Sequence, residues 1–436
     1  MATFEGDHGN EALRNLSREP LERRESNQSP GVDAVPPDPM SGGAVLNLAR
    51  KLRRRARDLF PVEGFHFDRP LVLLQSDDWG RVGLRDRAGL EELRSGGIEI
   101  GERPYDFYTL ETAEDLSALR ALLCRHRDSA GQYASIGMNF IVANLDFARI
   151  EADDFRRIHL LPLGEGLPRG WNRPGLHDAY RQGVSDGVFH PGLHGVTHFC
   201  RPAVERQVAS TGDRLDLLRT LWRAGTPYIH WRMPWVGFEY WDPEQPADER
   251  FLTATSQREL VGQSVGAFAR FFSAVPRSAC APGYRADEDT HKAWAEHGVR
   301  VAQNGPGTLM PPHFDDYNTL HLYRSIEFEP ATDPAFSVAS SLRDIEMCFA
   351  RGIPAVVSLH SINFHSSVRD FRSRSLELLN ELLSALETKY PDLLYLHDEN
   401  LCDLINRGSY ENAQGLMRVN VTKKRTSKLV ASQRTG

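Results

Sequence analysis

From Leu71 onward the chain alternates short apolar, β-rich runs with helical patterns, and this alternation restricts the fold more than any other feature of the sequence. LVLLQS at 71–76 predicts a buried strand, and a helix is predicted over 86–95. YASIGMNFIVAN at 133–144 predicts a second strand region, and VFHPGLHG near 188 leads into a helix predicted over 203–222. SACAPGY near 280 precedes a helix predicted over 287–297, after which VRVAQ at 299–303 reads as a strand. AVVSLH at 355–360 precedes a long helix over 368–388, and LLYLHDE at 393–399 precedes a short one ending near Arg407. Strand then helix, repeated about seven times with chemistry-bearing residues at strand ends, predicts an α/β fold: a parallel barrel with its site on the carboxyl-end loops. A flat doubly wound sheet shares the pattern, but no GxGxxG turn follows the first strand.

The flanks differ from this body. Residues 1–44 hold eight acids and four bases with several Pro and Gly, too little apolar area to offset the entropy of ordering, so they are expected to be disordered. In 45–60, Leu46, Ala49, Leu52, Ala56, Leu59 and Phe60 recur at helical spacing opposite six bases, which predicts an amphipathic helix. It is either docked on the domain rim or a candidate for peripheral contact with an anionic membrane or partner. The expected organisation is therefore a disordered segment 1–44, a basic helix and lead-in 45–66, a barrel domain 67–408 and a basic tail 409–436.

Charge and cysteine content exclude several classes. The net charge is −7, and 45–60 and 418–436 are both basic, so the body between them is strongly acidic, a poor surface for nucleic acid. There is no apolar run long enough for a membrane span and no apolar signal core in the first 30 residues, so a cytoplasmic location is expected. Five scattered cysteines without a CxxC pair suggest neither a disulfide framework nor a thiolate zinc site.

Chemistry gathers at four places. Ser76-Asp77-Asp78-Trp79-Gly80 follows an apolar strand, and two adjacent carboxylates there are costly unless a cation or a shared proton compensates; the alternative is a solvated turn. His194-Gly195-Val196-Thr197-His198 puts two imidazoles four residues apart, able to face one metal ion from a helical turn or tight loop. With Asp78 they would form a two-histidine, one-carboxylate face that leaves positions for water and substrate. His360 ends the run VVSLH and is either a satisfied core residue or one pointing into the barrel mouth. Ala281-Pro282-Gly283-Tyr284 is a turn before a helix whose N–H groups could face an oxyanion.

In this order the motifs resemble those of the NodB-type polysaccharide deacetylases, carbohydrate esterase family 4, over roughly residues 70–405. SDDWG resembles the family's Thr-Phe-Asp-Asp-Gly-like turn, HGVTH its His-Ser/Thr-x-x-His motif, CAPGY its Arg-x-Pro-Tyr-like turn and SLH at 358–360 its late Leu-His. The resemblance implies a distorted barrel of seven or eight strands, with a divalent metal, commonly zinc, on Asp78, His194 and His198. It makes Asp77 the general base, His360 the general acid and the Tyr284 backbone N–H an oxyanion contact.

The sequence also departs from that pattern. Cys280 stands where the family has the arginine that orients the base, so Arg232, in Arg232-Met233-Pro234-Trp235, and Arg285 are the candidate replacements. Trp79, Arg232 and Arg285 are the candidate substrate contacts. His190 is a candidate extra ligand or an ordinary polar side chain, and Asp315 and Asp316 are substrate contacts or turn residues. An insertion at 225–256, with Tyr228, Trp231, Trp235, Phe238, Tyr240 and Trp241, either stacks on sugar or forms a loop core.

The resulting expectation is a metal-dependent hydrolase of a non-peptide amide bond, deacetylating an N-acyl sugar, glycan precursor or small N-acyl compound. Two readings compete: a carbohydrate-binding protein that keeps the barrel but has lost turnover, and a metal hydrolase acting on a cyclic amide or formyl group.

Overall fold

All nine residues of β1, Leu71–Trp79, are buried, as a parallel strand must be when helices cover one face and a barrel interior the other. In the computed structural model, which describes residues 62–229, 232–305 and 309–426, the following strands are β2 (Ile136–Phe140), β3 (Phe189–Leu193), β4 (Ser278–Cys280), β5 (Val301–Asn304), β6 (Leu320–Tyr323), β7 (Ile326–Glu327) and β8 (Ala355–His360). Pairing runs β8–β1–β2–β3–β4–β5–β6, parallel at every step, and β7 pairs parallel with β8.

Only Arg324 and Ser325 separate β6 from β7. The Arg324 amide donates to Asn304 O of β5 at 3.3 Å, and the Ser325 amide donates to Val356 O of β8 at 3.0 Å. One stretch of chain therefore bonds β5 with its first half and β8 with its second. That closes the ring: the barrel has seven staves, with β6 and β7 sharing the last.

Alternation along the strands sorts side chains into layers. Leu71, Leu73, Val301, Leu320, Leu322 and Val356 form an apolar cluster low in the interior, together with Leu394 and Leu396. A larger cluster, including Val72, Leu74, Ile136, Met138 and Val357, packs the outer face of the strands against the surrounding helices. Above the inner apolar layer lies a polar one built from Gln75, Asn139, Gln303, Arg324 and Asp398.

Some expected segments differ. The helix expected over 203–222 is two helices, Arg201–Val208 and Asp213–Arg223, with Gly212 between them at φ +148°, a backbone angle that L side chains rarely adopt. The stretch expected as a basic tail from 409 forms a hairpin, Ser409–Asn412 with Gly415–Arg418, and then Val421–Thr426, which pairs antiparallel with Val62–Phe67. The expected disordered segment 1–44 and the basic helix 45–60 lie outside the described residues. All five cysteines are free, and no helix among the described residues is long and apolar enough to cross a membrane.

Candidate active site

At the end of β1 the backbone leaves regular strand geometry. The register with β2 shifts between Ser76 and Trp79, and Asp78 sits at φ +73°, a strained angle for a residue other than glycine. Neighbouring groups hold it there. The Tyr108 hydroxyl donates to Asp78 O at 2.6 Å, Ser361 Oγ donates to the same carbonyl at 3.3 Å, and Gly80 N–H donates to Glu111 Oε1 at 2.9 Å. Adjacent residues of a regular strand face opposite ways, whereas this irregular turn brings the carboxylates of both Asp77 and Asp78 against His194.

The two histidines come from the loop after β3. Gly195 has φ +103°, and a Cβ there would lie 1.9 Å from Glu239 Oε2, so the loop needs glycine. Glu239 Oε1 accepts from the Val196 and Thr197 amides at 2.6 and 3.2 Å. Burial pushes the Glu239 carboxyl up to about 8. The His194 Nδ1–H donates to Cys280 O at 2.8 Å, which leaves the Nε2 lone pair free. That Nε2 is 3.6 Å from Asp78 Oδ1, and His198 Nε2 is 3.3 Å from the same oxygen, while Tyr228 Oη is 3.1 Å from His198 Nδ1.

These spacings fit one cation, because ligands about 2.0–2.2 Å from a zinc ion stand roughly 3 to 3.7 Å apart. The donor set, one carboxylate and two imidazoles with at least one fixed tautomer, also fits zinc chemically. Arg81 Nη1 lies 3.0 Å from the same Asp78 Oδ1. Burial opposes ionisation of Asp78, but Arg81 and then His198 override it and hold its carboxyl well below the usual range.

Asp77 is gripped from another direction. Arg324 donates from Nη1 to Oδ2 at 2.6 Å and from Nη2 to Oδ1 at 2.7 Å, and Asn139 Nδ2 donates to Oδ1 at 2.7 Å. Cys280 Sγ reaches Oδ2 only as a weak contact at 3.6 Å. Burial again favours the neutral acid, and Arg324 outweighs it, so the Asp77 carboxyl is lowered to about 2. Arg324 is itself fixed by Gln75 Oε1 and Gln303 Oε1, and both glutamines donate to Asp398. Neither expected replacement, Arg232 or Arg285, reaches Asp77; the arginine paired with it is Arg324, at the barrel seam.

His360 is opposite Asp77 in the β8–β1 register, with Nε2 3.9 Å from Asp77 Oδ2 and Nδ1 2.6 Å from Glu329 Oε1. Burial would lower the imidazolium's pKa, but the Glu329 carboxylate raises it to about 9. The imidazole and the Asp77 carboxylate are therefore neighbours.

Tyr284, Trp79, Arg285 and Arg232 are not where the sequence put them, whereas His190 and Asp315 take the plainer of their two readings. The Tyr284 N–H donates to Ala281 O at 2.9 Å inside its own turn and is spent there, while the phenol lies 3.2 Å from Arg324 Nη1. Trp79 is fully buried, bonded to Ser76 Oγ at 3.0 Å and stacked on Phe364, so it is a core residue. Arg285 lies over the Trp241 ring, 4.9 Å from its centroid, and Arg232 faces Asp106 at 3.7 Å, so neither touches Asp77. His190 stacks on His397 with centroids 3.8 Å apart, and burial lowers it to about 4. Asp315 accepts from the Tyr317 and Thr319 amides and is 3.1 Å from His321 Nε2, which makes it a turn residue. In the aromatic insertion Tyr228 and Phe238 flank His198, whereas Trp235 and Trp241 carry arginines and Tyr240 is buried; Trp231 lies outside the described residues.

The residues missed from sequence are Arg81, Asn139, Gln303, Arg324 and Glu329. Arg324 alone left a signal, a charge inside the strand-like run LHLYRSIEF.

No protein-family model and no curated protein matches the chain. Similar solved structures include a Mycobacterium smegmatis protein classed as a polysaccharide deacetylase, 10% identical with a TM-score of 0.43, covering 80% of this chain and 95% of that one. A family 4 carbohydrate esterase from Streptomyces lividans is 11% identical with a TM-score of 0.31, covering 76% and 93%. A CE4 family pseudoenzyme from Bacillus anthracis is 10% identical with a TM-score of 0.33, covering 78% and 69%.

Proposed function

We propose that the chain is a metal-dependent hydrolase of a non-peptide amide bond, removing an acyl group, most simply acetyl, from an N-acyl sugar or glycan precursor. The observation that carries this reading is the convergence of Asp78 Oδ1, His194 Nε2 and His198 Nε2 beside a second carboxylate and an imidazole. Asp78, His194 and His198 would hold a divalent ion such as zinc, which supplies Lewis acidity toward an amide carbonyl and toward water.

The chain's own groups handle the protons. Asp77 takes one from the attacking water, with Arg324 and Asn139 fixing the carboxylate's orientation. His360, kept protonated by Glu329, gives its Nε2 proton to the nitrogen as the C–N bond breaks, because an amine leaves poorly as an anion. The 3.9 Å between His360 Nε2 and Asp77 Oδ2 is short enough for one water to return the proton and reset the pair. Tyr105, edge-on to His360 with centroids 6.3 Å apart, walls this side of the site.

Chelation should abolish hydrolysis of a panel of N-acetyl sugars, and added zinc should restore it. Equal hydrolysis by chelated and zinc-replete protein would contradict the proposal.

A further inference from the structure

Beside the metal-ligating residues lies a pocket lined by Arg81, Leu84, Tyr105, Tyr108, Thr226 and Tyr228, among others. Three of its walls also belong to the site: Arg81 contacts Asp78, Tyr228 contacts His198, and Tyr105 contacts His360. A group bound in the pocket is therefore next to the reacting atoms.

Arg81 is under-used for a buried guanidinium. It is 5% exposed and lies on the Tyr108 ring, 3.9 Å from the centroid, with Tyr228 at 5.9 Å. Of its five N–H bonds, only one on Nη1 has a hydrogen-bond acceptor among the described residues, Asp78 Oδ1 at 3.0 Å. Thr226 Oγ1, also a pocket wall, is buried without a hydrogen-bond partner. A buried hydroxyl without a partner is costly, and a ligand that bonds it removes the cost.

The charge count points the same way. Arg81 offsets Asp78, Arg324 offsets Asp77 and the His360 imidazolium offsets Glu329, so these three pairs are balanced before any ion is added. A divalent ion on Asp78, His194 and His198 would leave two positive charges buried, and a neutral sugar offsets neither. Asp106, which also lines the pocket, faces a cation of its own, Arg232, at 3.7 Å.

We propose that Arg81 receives an anionic group, carboxylate or phosphate, carried by the substrate close to its scissile amide. This rests on the hydrolase reading above and narrows its substrate to acidic N-acyl compounds. With an ion on Asp78, the guanidinium is no longer needed as that carboxylate's counter-charge and turns its free N–H groups to the ligand.

Calorimetry on zinc-loaded full-length protein tests this with D-glucose, D-glucuronate and D-glucose 1-phosphate, which share a ring but carry no amide to hydrolyse. At least one anionic sugar should bind roughly 10- to 100-fold more tightly than glucose, the scale of a charge-assisted hydrogen bond. Comparing glucuronate with the phosphate identifies which anion is read. Among samples loaded to the same zinc content, Arg81→Gln should erase the preference and Arg81→Lys should keep part of it.

A preference that survives in Arg81→Gln belongs to the ion and overturns the assignment. Equal binding of the three sugars by wild type, or no binding of any, overturns it even if neither variant folds. Zinc content is read on the same samples: protein that binds no zinc overturns the hydrolase reading and this inference together, whereas zinc-replete protein without a preference overturns this inference alone.

Discussion

Arg324 sets its two terminal nitrogens on the two oxygens of Asp77, at 2.6 and 2.7 Å, although the residues are 247 positions apart in sequence. Both side chains are almost completely buried, and the link spans the seam where the barrel closes. It makes Asp77 an oriented, ionised carboxylate, and it ties the site to the integrity of the fold.

Breaking one side of that pair leaves an uncompensated buried charge. Arg324→Ala is expected to lower stability by about 3–5 kcal/mol, measured by denaturant unfolding. Arg324→Lys keeps a charge but loses the two-pronged geometry. It should fold, bind metal and lose most of its kcat; activity within a few-fold of wild type would show that orientation of Asp77 is unimportant.

Cys280 occupies the position where an arginine was expected, yet Arg324 already serves Asp77, and burial raises the thiol well above its ordinary range. Cys280→Ala should therefore retain metal and stay within a few-fold of wild-type hydrolysis. The folded protein should also resist thiol alkylation at this residue. Loss of activity by a hundredfold or more would give the cysteine a role that the geometry does not support.

Asp77→Asn removes the proton acceptor while leaving Asp78 and both histidines in place. Hydrolysis is expected to fall by about 10²- to 10⁴-fold, the usual contribution of a general base, with metal content unchanged. Metal lost along with activity would instead make Asp77 a ligand.

His360 predicts a pH dependence. Its pKa is raised from an ordinary 6.5 to about 9, so its stabilising effect is complete below 6.5 and is lost as pH climbs through 9. Hydrolysis should decline above about pH 9 as the acid deprotonates. Removing the carboxylate in Glu329→Gln should move that decline toward lower pH, and an unmoved alkaline limb would show that another group sets it.

The motifs SDDWG, HGVTH and SLH could be read because each packs its chemistry into a few residues beside a strand end. Their convergence followed from the parallel barrel, which gathers strand ends at one mouth. Arg324 and Glu329 could not be assigned from sequence: their role depends on one chain segment crossing from β5 to β8, and no local pattern encodes that crossing. The Tyr284 amide misled for a related reason, because a turn with free N–H groups and one that bonds to itself have the same letters. The sequence offers Trp79 as a substrate contact, but the irregular end of β1 turns it into the core.

One divalent ion held by Asp78, His194 and His198 is what the proposed hydrolysis requires. Elemental analysis of purified, zinc-replete protein should find about one ion per chain in wild type and essentially none in His194→Ala, with both proteins folded by circular dichroism. Wild type without stoichiometric metal, or His194→Ala with an undiminished amount, would contradict the account.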